Sequence, residues 1–102
     1  MRDFSVEPVA QAELEDAATW YEGQREALGL EFVTEIDRTL SRIAHQAEFA
    51  TAPVAIVPGG VVRREFVHRF PYVVFFAESA VARRVIMIRR GSVDPARWRS
   101  RI

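Results

Sequence analysis

Between residues 8 and 45 the apolar positions recur at helical spacing. Between residues 55 and 90 they crowd into short runs of β-branched and aromatic residues. In the first region Leu14, Ala17, Tyr21 and Leu28 recur at spacings of 3, 4 and 7, with Glu13, Glu15, Asp16, Glu22 and Glu26 outside the stripe. That spacing predicts an amphipathic helix. Pro8 stands where a first helical turn accepts proline, and Gly29 is where the helix is expected to break. Phe32, Ile36, Leu40 and Ile43 form a second helical stripe, with Glu31, Glu35, Arg38 and Arg42 outside it. His45 falls at its end, where the helix dipole favours a cation. Two helices so nearly contiguous predict an antiparallel hairpin.

The remaining elements read as strands. Phe4 and Val6 give a short alternating signal at the N-terminus, and residues 55–57 a weak one before the turn Pro58-Gly59-Gly60. Residues 61–70, 72–77 and 83–90 are strand candidates from their β-branched and aromatic content. Their short connections require antiparallel neighbours. Asp94 is placed to cap a short final helix with Pro95 at its first position. The expected fold is α+β, in the order β-α-α-β-β-β plus a C-terminal helix: a helix hairpin packed on a small, mostly antiparallel sheet. Leu14, Ala17, Tyr21, Phe32, Ile36, Leu40 and Ile43 should be buried against Val74, Phe76, Ile86 and Ile88. At 102 residues, with no repeat or linker, the chain is one domain spanning residues 1–102.

Charge sharpens this division. Residues 1–50 hold 4 Arg and 11 Asp plus Glu, a net of 4 − 11 = −7. Residues 51–102 hold 10 Arg and 3 Asp plus Glu, a net of 10 − 3 = +7. An overall charge of zero thus conceals an acidic helical half and a basic sheet half able to meet an anionic partner. Every basic residue is arginine, which excludes a lysine base or Schiff base. The chain has no cysteine, so disulfides and thiolate metal sites are excluded. It has no apolar run of membrane-spanning length and no signal-peptide core. These features set the expectation of a cytoplasmic protein with no membrane association and no cofactor.

Candidate chemistry lies in the arginines. There is no P-loop, dinucleotide fingerprint or nucleophile elbow, and His45 and His68 lack metal-ligand spacing. Strand alternation puts Val62, Arg64, Phe66 and His68 on one face and Arg63, Glu65, Val67 and Arg69 on the other. Such a strand is either an edge protected against aggregation or part of a site. Arg83-Arg84 reads as a solvated pair, and Trp20 and Tyr21 as helix packing. Arg89 and Arg90 end the last strand; Arg97, Arg99 and Arg101 cluster around Trp98. Convergent guanidinium groups suit a phosphate or its transition state. Trp98 either offers a base a stacking surface or caps the edge of the core.

Three segments together resemble the RelE/ParE toxin superfamily: Trp20-Tyr21-Glu22 through Leu28-Gly29-Leu30-Glu31-Phe32, the run VRREFVHRFPY at 62–72, and Asp94-Pro95 with Trp98 and Arg101. The resemblance covers nearly the whole chain. It implies the toxin of a type II toxin–antitoxin module, of the plasmid-stabilisation type, held inactive by a cognate antitoxin. RelE-like members cut mRNA on the ribosome, and ParE-like members inhibit DNA gyrase without being nucleases. Relatives of this type read His-x-Arg-Arg-Asp-Pro ahead of the tryptophan, where this chain has Arg90-Gly91-Ser92-Val93-Asp94-Pro95. With no lysine, and no tyrosine after Tyr72, a general base is hard to name, and arginine hardly deprotonates.

The expectation is therefore a ParE-like toxin with DNA gyrase and an antitoxin as partners. The alternatives are a RelE-like endonuclease acting on ribosome and mRNA, or a non-toxic antitoxin-binding co-repressor. The expected target-binding residues are Arg63, Arg64, Arg90, Arg97, Trp98 and Arg101, converging beside the open face of the sheet. Arg63, Arg64 and Arg90 are the catalytic candidates should the chain cleave RNA.

Overall fold

The helical half and the strand half close on each other as two layers, with a third, small layer on the far side of the sheet. The computed structural model describes residues 2–91 and 96–102, apart from the side chains of Ala96 and Arg97. The elements are β1 (Asp3–Val6), α1 (Pro8–Gln24), α2 (Leu28–His45), β2 (Ala55–Val57), β3 (Gly60–Phe66), β4 (Tyr72–Glu78), β5 (Ala82–Arg90) and α3 (Ala96–Arg99). The strands form one sheet in the order β1-β5-β4-β3-β2, with β1 parallel to β5 and every other pair antiparallel. This is the expected α+β fold. The expected cap Asp94 and its neighbour Pro95 lie outside the described residues. No described helix is long and apolar enough to cross a membrane.

The two apolar patterns meet in the larger core. Leu14, Ala17 and Tyr21 of α1 and Phe32, Ile36 and Ile43 of α2 are buried with Val74, Phe76, Val85 and Ile88 of the sheet. Leu40 is only partly buried at the margin of this cluster. Tyr21 stacks on Phe32 at 5.0 Å and meets Phe70 edge-on at 5.0 Å, geometries that add to simple burial. The opposite face of the sheet carries a second cluster of Val62, Val73, Phe75, Ile86, Met87 and Trp98. Ile86 therefore faces away from the helices, against expectation. The ladder between β4 and β5 shifts register at Phe75/Phe76, where Phe76 pairs with Val85 and Phe75 with Met87. Ile86 is the extra residue of a bulge, so simple alternation fails there.

The helix break also lies earlier than the sequence suggested. Helix α1 ends at Gln24, and Ala27 takes a left-handed conformation at φ 69 before α2 begins at Leu28. The Glu22 carboxylate accepts hydrogen bonds from the N–H groups of Ala27 and Gly29, both at 2.9 Å. An acid here also complements the positive end of the α2 dipole. Gly29 is thus inside α2, and its smallness serves packing: a Cβ would stand 2.6 Å from the carbonyl oxygen of Ala18 in α1.

Strand β3 ends at Phe66, not at residue 70. Arg69 takes φ 71 in the following corner, and Val67 N–H donates to the Tyr72 carbonyl at 3.0 Å. His68 is therefore exposed in a bend and is not a strand residue.

Candidate functional site

Alternation along β3 sends consecutive arginines to opposite faces. Arg64 pairs with Phe75, which belongs to the second cluster, and Arg63 with Phe76, which belongs to the larger core. On the helix side Arg63 donates to Glu78 at 2.8 Å and to the Thr51 carbonyl at 2.7 Å. The other Glu78 oxygen accepts from Arg83 at 2.7 Å. Arg83 is only 3% exposed, so it is not the solvated residue expected from its place near a turn. Its remaining N–H groups reach the carbonyls of Ile43 at 2.9 Å, Ala47 at 3.0 Å and Gln46. These are the orphan carbonyls at and beyond the end of α2, which a cation satisfies and stabilises. Burial alone would raise the Glu78 carboxyl. The Arg63 and Arg83 guanidinium groups outweigh it and hold Glu78 below the usual carboxylate range.

The open face is built differently. A groove of about 570 Å³ runs between residues 51–54 and α3, with Arg64, Phe66 and Phe75 along it and Trp98 and Arg99 as its wall. The Arg64 guanidinium lies 5.4 Å from the centre of the Phe66 ring, and Arg99 lies 4.9 Å from that of Trp98. Neither forms an ion pair among the described residues. Cation–π contact leaves the donor edges of both guanidinium groups available to an anion. Phe66 is 60% exposed beside them. Glu65 also borders the groove, but its carboxylate is on the helix side, 3.9 Å from Arg42. The groove thus combines charge with aromatic surface and presents no carboxylate or imidazole among the described residues.

The expected set of arginines does not converge. Arg64 is in the groove, but Arg63 is held by Glu78 on the other face. Arg90 ends β5 and lies 5.9 Å over the ring of Tyr72, which belongs to the helix-side core. Burial, reinforced by Tyr21 and partly offset by Arg90, raises the Tyr72 hydroxyl above its ordinary range, so Arg90 meets a neutral phenol. Arg101 is bound to Glu13 at 2.9 Å and to the Ile86 carbonyl at 3.0 Å. The side chain of Arg97 lies outside the described residues. Trp98 is 2% exposed, so it fills the second core and cannot offer both ring faces to a base. Arg99 is the groove residue the expected set omits. Its adjacency to Trp98 was visible in the sequence, but which arginine of that cluster faces the groove depends on how the C-terminal arm is tied.

No protein-family model matches the chain, and no curated protein does. The fold is nevertheless shared with a solved structure. The chain is similar to one in the structure of the chromosomal ParDE TA system from P. aeruginosa, with a TM-score of 0.73 and 21% sequence identity. The match covers 88% of this chain and 96% of that one.

Proposed function

We propose that this chain is the toxin of a type II toxin–antitoxin module, ParE-like in acting on DNA gyrase and neutralised by a cognate antitoxin. The observation that carries the reading is the shared fold with a chain of the ParDE system along nearly the whole of both chains. It agrees with the sequence resemblance at the helix hairpin, at 62–72 and around Trp98. The groove supports a binding role over a nucleolytic one. Arg64 and Arg99 can hold an anionic surface, but neither can take a proton from a ribose hydroxyl at neutral pH. Charge and exposed Phe66 together suit a protein surface with acidic and apolar parts.

The test is induced expression without antitoxin, with purified gyrase and translated mRNA assayed in parallel. The reading expects growth arrest, blocked supercoiling and intact mRNA. Codon-periodic cuts that require ribosomes would replace it with the endonuclease reading. Antitoxin binding with no arrest and no effect on either target would replace it with the co-repressor.

A further inference from the structure

Glu13 belongs to α1, in the helical layer, yet its carboxylate serves the edge of the sheet. Strand β1 pairs with β5 only over residues 82–85, so the edge of β5 beyond them has no neighbouring strand among the described residues. Glu13 Oε1 accepts from the Ile88 N–H at 3.0 Å, and Oε2 accepts from Arg89 Nε at 2.6 Å. Both oxygens also accept from Arg101, at 2.9 and 3.2 Å. Arg101 in turn donates to the Ile86 carbonyl at 3.0 Å. A carboxylate and a guanidinium together take the place of a missing strand, one meeting an edge N–H and the other an edge C=O. The pair is largely screened from water, with side-chain exposures of 15% for Glu13 and 19% for Arg101.

This pair fixes more than an edge. Arg101 closes a turn on α3, its N–H donating to the Trp98 carbonyl at 3.0 Å. Trp98 is seated in the second core, and Arg99 lies over its ring. The groove wall is therefore tied at one end by apolar packing and at the other by Glu13, from the opposite layer of the molecule. We propose that Glu13 is a positioning residue for the open-face groove: through Arg101 it anchors residues 98–101 and so sets Arg99 beside Arg64. The inference rests on the reading of that groove as the target-binding face, but the anchor itself is measurable without it.

The experiment compares Glu13→Ala, Glu13→Gln, Arg101→Ala and the double alanine variant in the full chain carrying Trp20→Phe, so that Trp98 is the sole indole. Trypsin cleavage of the Arg99–Ser100 bond is followed by mass spectrometry, Trp98 emission by fluorescence, and growth inhibition by induction. Each alanine variant should cleave about tenfold faster, because local opening exposes the bond. The double variant should cleave no faster than either single one, because the two side chains act as a unit. Trp98 emission should shift to the red, and growth inhibition should fall. Glu13→Gln, which keeps an acceptor for Ile88 but loses the charge, should lie between. Should Glu13→Ala fail to fold, Arg101→Ala carries the test. Unchanged cleavage and emission would overturn the anchor. A released arm with full growth inhibition would overturn the positioning role. A wild-type chain without toxicity would overturn the functional reading above, with the anchor then judged by cleavage and emission.

Discussion

The two faces of the sheet use one residue type in two ways. On the helix face, Arg63 and Arg83 share Glu78, and Arg69 reaches Glu31 at 3.0 Å and Glu35 at 3.9 Å. These guanidinium groups are committed to carboxylates and backbone carbonyls. On the open face, Arg64 and Arg99 rest on aromatic rings and keep their donor edges free of acidic partners among the described residues. Arg63 and Arg64 are neighbours in sequence, so composition cannot separate them; the parity of a single strand does. The first kind ties elements together, and the second is available to a partner.

If that contrast is right, the largest loss of stability should come from the helix face. Arg83→Ala leaves a buried carboxylate short of a partner and several carbonyls short of donors. It should cost about 3–5 kcal/mol, read from the denaturant midpoint. A loss below about 1 kcal/mol would show that the buried network is not what holds the end of α2. Core truncation ranks next: Ile36→Ala should cost ~2–5 kcal/mol, and Leu40→Ala less because Leu40 is only partly buried.

Acid should expose the same network. Glu78 has a carboxyl below its ordinary range when folded, against ~4.3 in the unfolded chain. Its contribution is therefore full above that unfolded value and is lost as pH falls through the lower folded one. The difference in urea midpoint between the wild type and Glu78→Gln should shrink as pH falls through this window. A constant difference would contradict the ion-pair account.

Gly29→Ala should cost about 1–3 kcal/mol through overpacking against α1, checked by thermal unfolding. A neutral effect would mean that the hairpin can open without penalty. The smallest change in stability should follow charge reversal on the open face. Arg64→Glu and Arg99→Glu should stay within about ±0.5 kcal/mol of the wild type while abolishing growth inhibition. Arg64→Glu with full toxicity would move the site off this groove.

Much of the fold was legible because its apolar periods are clean. The stripes of α1 and α2 and the β-branched runs of β4 and β5 predicted their elements, and Pro8 marked the start of α1. The misplacements have local causes. Gly29 reads as a breaker by propensity, but the close approach of Ala18 is a tertiary demand. Ile86 inverts its expected face through a bulge that no two-residue period can encode. Glu35, 3% exposed, belongs to the polar set by periodicity yet is covered and paired with Arg38 and Arg69.

The site was harder to read for a related reason. The −7/+7 split suggested a basic half free for an anionic partner. Instead Glu7, Glu13 and Glu31 of the acidic half hold Arg84, Arg89, Arg101 and Arg69 of the basic half. Opposite charges placed far apart in sequence mark where the halves dock. Within the basic half, the arginines without acidic partners among the described residues (Arg64, Arg90 and Arg99) could be found only by subtraction, once the pairs were known.

In the language of insertions and deletions, Ile86 is a residue the sheet has absorbed. Remove it, and Arg84, Val85, Met87 and Ile88 read straight through in strict alternation, each on the face it already occupies. The faces of β5 are thus indifferent to the added residue. The C-terminal arm is not, because the extra carbonyl is the one that receives Arg101. One surplus peptide unit gives a strand edge a hold for a segment that arrives from the other side of the sheet.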